Sequence, residues 1–160
     1  MRLKKLILLF FSLTFAFSLW AEYQIPRHGL TAHLGGVASL YEIEYNYRFL
    51  VKEKHAFSLS IAINSAAINV GFPLGINYTY GQKNQFFASI RFVLDVLLIS
   101  FDEEVIVPSW AYFANLRVGY GREIVLFKQK CTLYAYVSPA INLISGKTLP
   151  WAGIGLTQYF

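Results

Sequence analysis

The run LYEIEYNYRF, Leu40–Phe49, decides the fold, because apolar and polar residues alternate along it without interruption. Tyr41, Ile43, Tyr45, Tyr47 and Phe49 fall on one side of an extended strand and Glu42, Glu44, Asn46 and Arg48 on the other, the two-residue period of a strand with unlike faces. In a soluble sandwich the aromatic face would be the core. The rest of the chain argues for the inverse arrangement, with aromatics toward lipid and charges toward a closed lumen.

Outward from this stretch the alternation recurs. His28–Leu34 is a strand that ends in Gly35-Gly36, a dipeptide that permits positive φ and a tight reversal. Leu50–His55 (LVKEKH) reads as a charged turn. Ala56–Asn64 sets Phe57, Leu59, Ile61 and Ile63 against Ser58, Ser60, Ala62 and Asn64. Asn69–Tyr80 sets Phe72, Leu74, Ile76, Tyr78 and Tyr80 against Gly71, Pro73, Gly75, Asn77 and Thr79, and Pro73, which lacks an N–H, predicts a bulge or broken pairing. After a turn at Gly81–Gln85, Phe86–Val96 resumes with Ser89, Arg91, Val93 and Asp95 on the polar side. Leu97–Ser109 is the longest loop, Trp110–Gly121 a further strand, and Arg122–Lys130 a turn of mixed charge. Cys131–Pro139 alternates with either face arguable, and a loop with Gly146, Lys147 and Pro150 leads to the last strand, Trp151–Phe160. The expectation is an all-β, antiparallel up-and-down transmembrane barrel of eight strands, an even number that returns the chain to its starting side.

The N-terminus is set apart. Arg2, Lys4 and Lys5 precede the apolar run Leu6–Trp20, which is too short for a span and reads as a secretory signal cleaved after Ala21 for export by the Sec route. Residues 1–21 are then the signal and 22–160 one barrel domain. Three of 14 basic residues leave with the signal and none of the 9 acids, so the mature balance is +2 and nucleic-acid binding loses its support. The lone Cys131 forms no internal disulfide. A content of 56% hydrophobic residues is high for a soluble domain and suits one whose outside is also apolar.

A bundle of membrane helices is the rival, since Ala56–Ile76 is hydrophobic. Its Ser and Asn residues scatter around a helix but mostly line one face of a strand. With a lumen inside, Glu42, Glu44, Arg48, Arg91, Asp95 and Arg117 all point inward, three acids facing three bases. Arg on the lipid face would cost roughly 2–4 kcal/mol near the midplane. An eight-stranded lumen is narrow enough for side chains to fill, so these charges read as a polar plug rather than a conductance path. Tyr47, Phe49, Tyr78, Tyr80, Phe86, Tyr120 and Phe160 fall at strand ends on the periplasmic side, as an aromatic girdle. Lys52, Lys54, Lys83, Arg122, Lys128 and Lys130 follow in the turns and read as solvated charge.

The ending WAGIGLTQYF resembles the C-terminal assembly signal of outer-membrane barrels. Ala152, Ile154, Leu156 and Phe160 fit it; Gln158 departs from it, and Tyr159 takes that place if the strand end is twisted. Leu34–Phe49 with its Gly-Gly turn, Pro73–Asn84 (PLGINYTYGQKN) and the PWAGIGL ending together resemble the small outer-membrane barrels of the Bacteroidota type, similar in architecture to OmpA-type transmembrane domains. The resemblance implies an outer-membrane location, contact with membrane lipid and lipopolysaccharide, the barrel-assembly machinery as a partner in biogenesis, and a monomer. It brings no catalytic residues.

A structural or surface-interaction role is therefore the first reading, with a lipid-modifying enzyme and a narrow channel for small solutes as alternatives. Acyl chemistry needs a Ser and a His held together by a carboxylate. His28, His55 and His33 read as interfacial or loop histidines, and only His33 approaches the outer end, where Ser39 or Ser65 would be its partner. No cofactor and no metal site is assigned, since the consecutive acids Asp102-Glu103-Glu104 prescribe no coordination geometry.

Overall fold

The computed structural model describes residues 26–36, 40–66, 69–97 and 109–160, all in strands or their connections. Residues 1–21, read above as a signal, and Asp102-Glu103-Glu104 lie outside the described residues.

Among the described residues ten strands follow one another: β1 (His28–Gly35), β2 (Tyr41–Lys52), β3 (His55–Ala66), β4 (Asn69–Gly81), β5 (Asn84–Leu97), β6 (Ser109–Leu126), β7 (Gln129–Val137), β8 (Ala140–Asn142), β9 (Thr148–Leu149) and β10 (Ala152–Tyr159). Sequence neighbours pair antiparallel from β1 to β7, β10 pairs with both β7 and β1, and the ring closes. β8 continues β7 along β6 in unchanged register, and β9 continues toward β10 opposite β8. These two pairs count as one wall strand each, so the ten strands form an eight-stranded closed barrel without a seam. The interruption of β7 has a chemical cause: Pro139 has no N–H to give, but its carbonyl still accepts from Leu116 N at 3.1 Å.

Several boundaries differ from the sequence reading because ladders run further than alternation does. The turn read as Leu50–His55 contracts to Glu53-Lys54, with positive φ at Glu53, and that read as Arg122–Lys130 contracts to Phe127-Lys128, with positive φ at both residues. The loop after Pro139 contains the β8–β9 hairpin. Pairing extends past β1 to Arg27, whose carbonyl accepts from Arg48 N at 2.7 Å. The alternation of β2 ends in a bulge: Arg48 opposes Ser58 and Leu50 opposes Phe57, leaving Phe49 as the extra residue. At Pro73 the outcome is broken pairing on one side only. β4 keeps its register with β5 through Pro73 and Val93, while the β3–β4 ladder stops between Ile61–Leu74 and Asn64–Gly71.

Burial is inverted relative to a soluble protein. Ile63, Ile61, Leu74, Ile76 and Ile90 stand on the outer wall with more than half of their surface bare, and Ile90 reaches 72%. Glu42, Arg91, Arg117, Asn115, Thr31 and Ser89 are buried inside. The face of β7 is settled as well. Thr132, Tyr134 and Tyr136 are buried in the lumen and Leu133, Ala135 and Val137 face out.

Candidate functional site: an ion-paired plug in the lumen

The lumen is filled in layers. Near mid-height, four elements converge on one cluster: His33 from β1, Glu42 and Glu44 from β2, Arg91 from β5 and Arg117 from β6. Arg91 grips Glu42 with both terminal nitrogens, Nη2 donating to Oε1 at 2.9 Å and Nη1 to Oε2 at 3.1 Å, the bidentate fork that suits guanidinium and carboxylate. Arg117 Nη2 donates to Glu42 Oε1 at 3.3 Å. Glu44 Oε2 lies 3.1 Å from Arg91 and 3.6 Å from Arg117. His33 Nε2 accepts from Arg117 at 3.3 Å, which places the imidazole proton on Nδ1. The Arg117 guanidinium sits 4.4 Å over the Tyr136 ring, whose hydroxyl donates to the Gly35 carbonyl at 3.2 Å.

Space for these side chains comes from glycines facing them across the wall. A Cβ on Gly75 would stand 2.6 Å from Arg91 Cγ, and one on Gly153 2.6 Å from the Tyr136 hydroxyl. On the loop side of the cluster lies an apolar layer of Val93, Phe113 and Ala140, with Ala111 against it. On the turn side a polar network continues: Asn77 donates to Asn46 at 2.8 Å, Asn46 to Thr31 at 3.2 Å, and the Thr31 and Thr157 hydroxyls meet at 2.7 Å. The cavity left there is about 30 Å³, room for about one or two waters.

The six charges read from the sequence divide. Glu42, Glu44, Arg91 and Arg117 are brought together. Asp95 is not among them: it lies toward the loop end and accepts from Asn69 Nδ2 at 2.7 Å. Arg48 is also separate, its guanidinium 3.3 Å over the Tyr159 ring at the turn end. That contact turns Tyr159 into the lumen, so it does not replace Gln158 on the outer face; Gln158 donates to Gln129 instead. The grouping of three acids with three bases is therefore corrected to two acids, two arginines and a histidine.

His33 is the residue the sequence reading placed wrongly. It is buried within the plug, not interfacial. Its parity with Thr31 on β1 was the available signal. Ser65 Oγ donates to the Asn69 carbonyl at 3.0 Å, and Ser39 lies outside the described residues. His28 and His55 are bonded to Tyr45 and Tyr78 hydroxyls at 2.6 and 2.8 Å. None of these is the Ser–His pairing that acyl chemistry requires. Ligand atoms of His33, Glu42 and Glu44 do lie within 4.8 Å of one another, but a cation there would meet two guanidiniums that already hold both carboxylates, so the group does not fit a metal.

The seven girdle residues stand at the turn end, where rings touch from strand to strand. Phe86 and Tyr120 are 5.3 Å apart, Tyr78 lies 4.9 Å from Phe57, His28 bridges Tyr47 and Phe160, and His55 contacts Tyr80. Phe49, the bulged residue, contacts Phe57 at 6.3 Å. Of the terminal residues, Ala152 and Ile154 are exposed outward and Leu156 and Phe160 half-buried.

The structure is similar to the N-terminal β-barrel domain of Pseudomonas aeruginosa OprF, with a TM-score of 0.63 over 86% of this chain and 100% of that one, at 14% identity. The two share a fold. Neither a family model nor a curated protein matches the sequence. OprF's barrel domain and this chain thus have in common the closed antiparallel wall, and identity this low carries nothing about individual lumen residues.

Proposed function

We propose that the chain is an integral outer-membrane barrel that serves the envelope as a sealed structural element and presents its longer loops on the outer side. The observation that carries this is the inversion of burial: the wall is apolar outside, and the interior is closed by an ion-paired cluster beneath an apolar layer. In hydrocarbon every backbone donor must be paired internally, and a closed ring of strands satisfies that. On this reading residues 1–21 direct export through the Sec route, the assembly machinery recognises the strand bearing Ala152, Ile154, Leu156 and Phe160, and the barrel stands as a monomer among lipid and lipopolysaccharide, a small barrel of the Bacteroidota type.

Fractionation tests location. The protein is expected in the outer-membrane fraction, with a folded band that shifts on an unboiled gel, and recovery as a dissolved periplasmic monomer overturns the proposal. Planar-bilayer recording tests the seal. Neither the wild type nor Arg91→Gln/Arg117→Gln should open, because Val93, Phe113 and Ala140 still exclude water. Stable openings of the wild type refute the sealed lumen.

A further inference from the structure

Resting on the membrane reading above, we infer that the turn end of the barrel is a binding ring for anionic phospholipid headgroups in the leaflet it faces. Among the described residues eight cationic side chains and two acidic ones, Glu53 and Glu123, are gathered there. The β2–β3 turn carries Lys52 and Lys54, the β4–β5 turn Lys83, and the β6–β7 turn Lys128 flanked by Arg122 and Lys130; Arg27 precedes β1 and Arg48 closes the lumen. The six turn cations are exposed. Lys130 lies 3.8 Å from Glu123, and the other five have no acid within ion-pair distance among the described residues.

The distribution decides the partner. In the ring order the β2–β3, β4–β5 and β6–β7 turns and the β10–β1 junction are each two strands apart, so every quarter of the circumference carries cations. A protein partner would select one sector, whereas a lipid shell meets the whole circle. The height matches too. These cations begin where the aromatic girdle ends, at the level where long basic side chains lay their stems on apolar surface and set their charge among headgroups. The turns hold them there: Gly81 N donates to the Lys54 carbonyl and Glu123 N to the Lys83 carbonyl, both at 2.7 Å, tying each turn to the next strand. A basic side chain at an anionic surface is worth on the order of five-fold in affinity, so even one engaged cation per lipid gives a measurable preference.

The test refolds the protein into phosphatidylcholine bilayers containing trace spin-labelled phosphatidylglycerol or phosphatidylcholine and compares the motionally restricted fraction of each. At low salt the phosphatidylglycerol-to-phosphatidylcholine association ratio should be about five, falling toward one at 1 M salt, where the screening length is about 3 Å. Lys52→Gln/Lys54→Gln and Lys128→Gln/Lys130→Gln, on opposite sides of the ring, should each lower the ratio part-way and together bring it near one. A wild-type ratio near one at low salt overturns the proposal. So does a ratio that survives all four substitutions, or one that depends on a single turn, which would mark a patch for a protein. A barrel that restricts neither lipid refutes instead the membrane reading on which the inference rests.

Discussion

Replacing Glu42 with alanine removes the acceptor that Arg91 holds at 2.9 and 3.1 Å and Arg117 reaches at 3.3 Å. Two acids and two arginines balance in this cluster, with side chains between 1% and 6% exposed. Without Glu42 two guanidiniums face Glu44 alone, and one positive charge is left buried without its carboxylate, beside a cavity with room for about one or two waters. Hydrogen bonds to charged groups contribute about 1.5–3 kcal/mol each, so two good bonds and a long one come to roughly 3–7 kcal/mol. Breaking a buried pair by deleting one partner costs about 3–5 kcal/mol. The two routes meet near 4 kcal/mol. Glu42→Gln keeps one carbonyl oxygen for Arg91, so it should lose about 2–3 kcal/mol.

Glu42→Leu combined with Arg91→Met separates an orphaned charge from a lost attraction. It deletes one charge of each sign and leaves Glu44 with Arg117 at 3.6 Å, so it should fall within about 2 kcal/mol of the wild type. Urea unfolding of the refolded barrel in vesicles, followed by tryptophan emission and by the folded band on an unboiled gel, gives the midpoints. A Glu42→Ala barrel within 1 kcal/mol of the wild type, on the scale set for buried pairs, or a double variant weaker than the single, would refute the reasoning.

Three further substitutions follow. Gly75→Ala puts a methyl 2.6 Å from Arg91 Cγ and 2.9 Å from the Ile90 carbonyl, and should cost about 1–3 kcal/mol in the same titration; an unmoved midpoint would mean the Arg91 stem does not lie there. Ile76→Arg places a charge near mid-wall on a face that is 55% bare, with an expected loss of about 2–4 kcal/mol in lipid; a neutral result would say that this wall is not in hydrocarbon. Lys128→Gly relieves a non-glycine residue at φ 67, next to Phe127 at φ 49, in the two-residue turn between β6 and β7, and should stabilise by about 1 kcal/mol, read as a higher urea midpoint.

The parity of each strand was legible because it is local. A wall with an apolar outer face and a closed polar lumen imposes a period of two, and residues such as Glu44 and Ile61 carry that signal without reference to any other strand. Cys131–Pro139 resisted because its small and aromatic residues suit either face, and only pairing with β6 and β10 turned Tyr134 and Tyr136 inward. Strand ends resisted for another reason. The ladder continues through Arg122–Leu126, where charge interrupts the pattern but backbone hydrogen bonding does not.

Which inward residues meet is a different matter, set by tilt. Along the hydrogen-bond ladder Glu42 is in register with Asn64, then Gly71, then Asp95, then Ala111. Its charge partners are Arg91 and Arg117, displaced from those ladder positions by four residues on β5 and six on β6 toward the turn end. Three strand spacings are about 14 Å and four residues rise about 13 Å; four spacings are about 19 Å and six residues about 20 Å. Both ratios correspond to strands inclined by roughly 45° to the barrel axis, at the upper end of what a barrel of this kind adopts. The same incline lifts Asp95 away from the cluster, which is why three acids and three bases of equal parity do not assemble. Parity chooses the lumen, and stagger chooses the partner; since alternation carries no register between strands, Arg91 and Asp95 stand alike in the sequence and apart in the molecule.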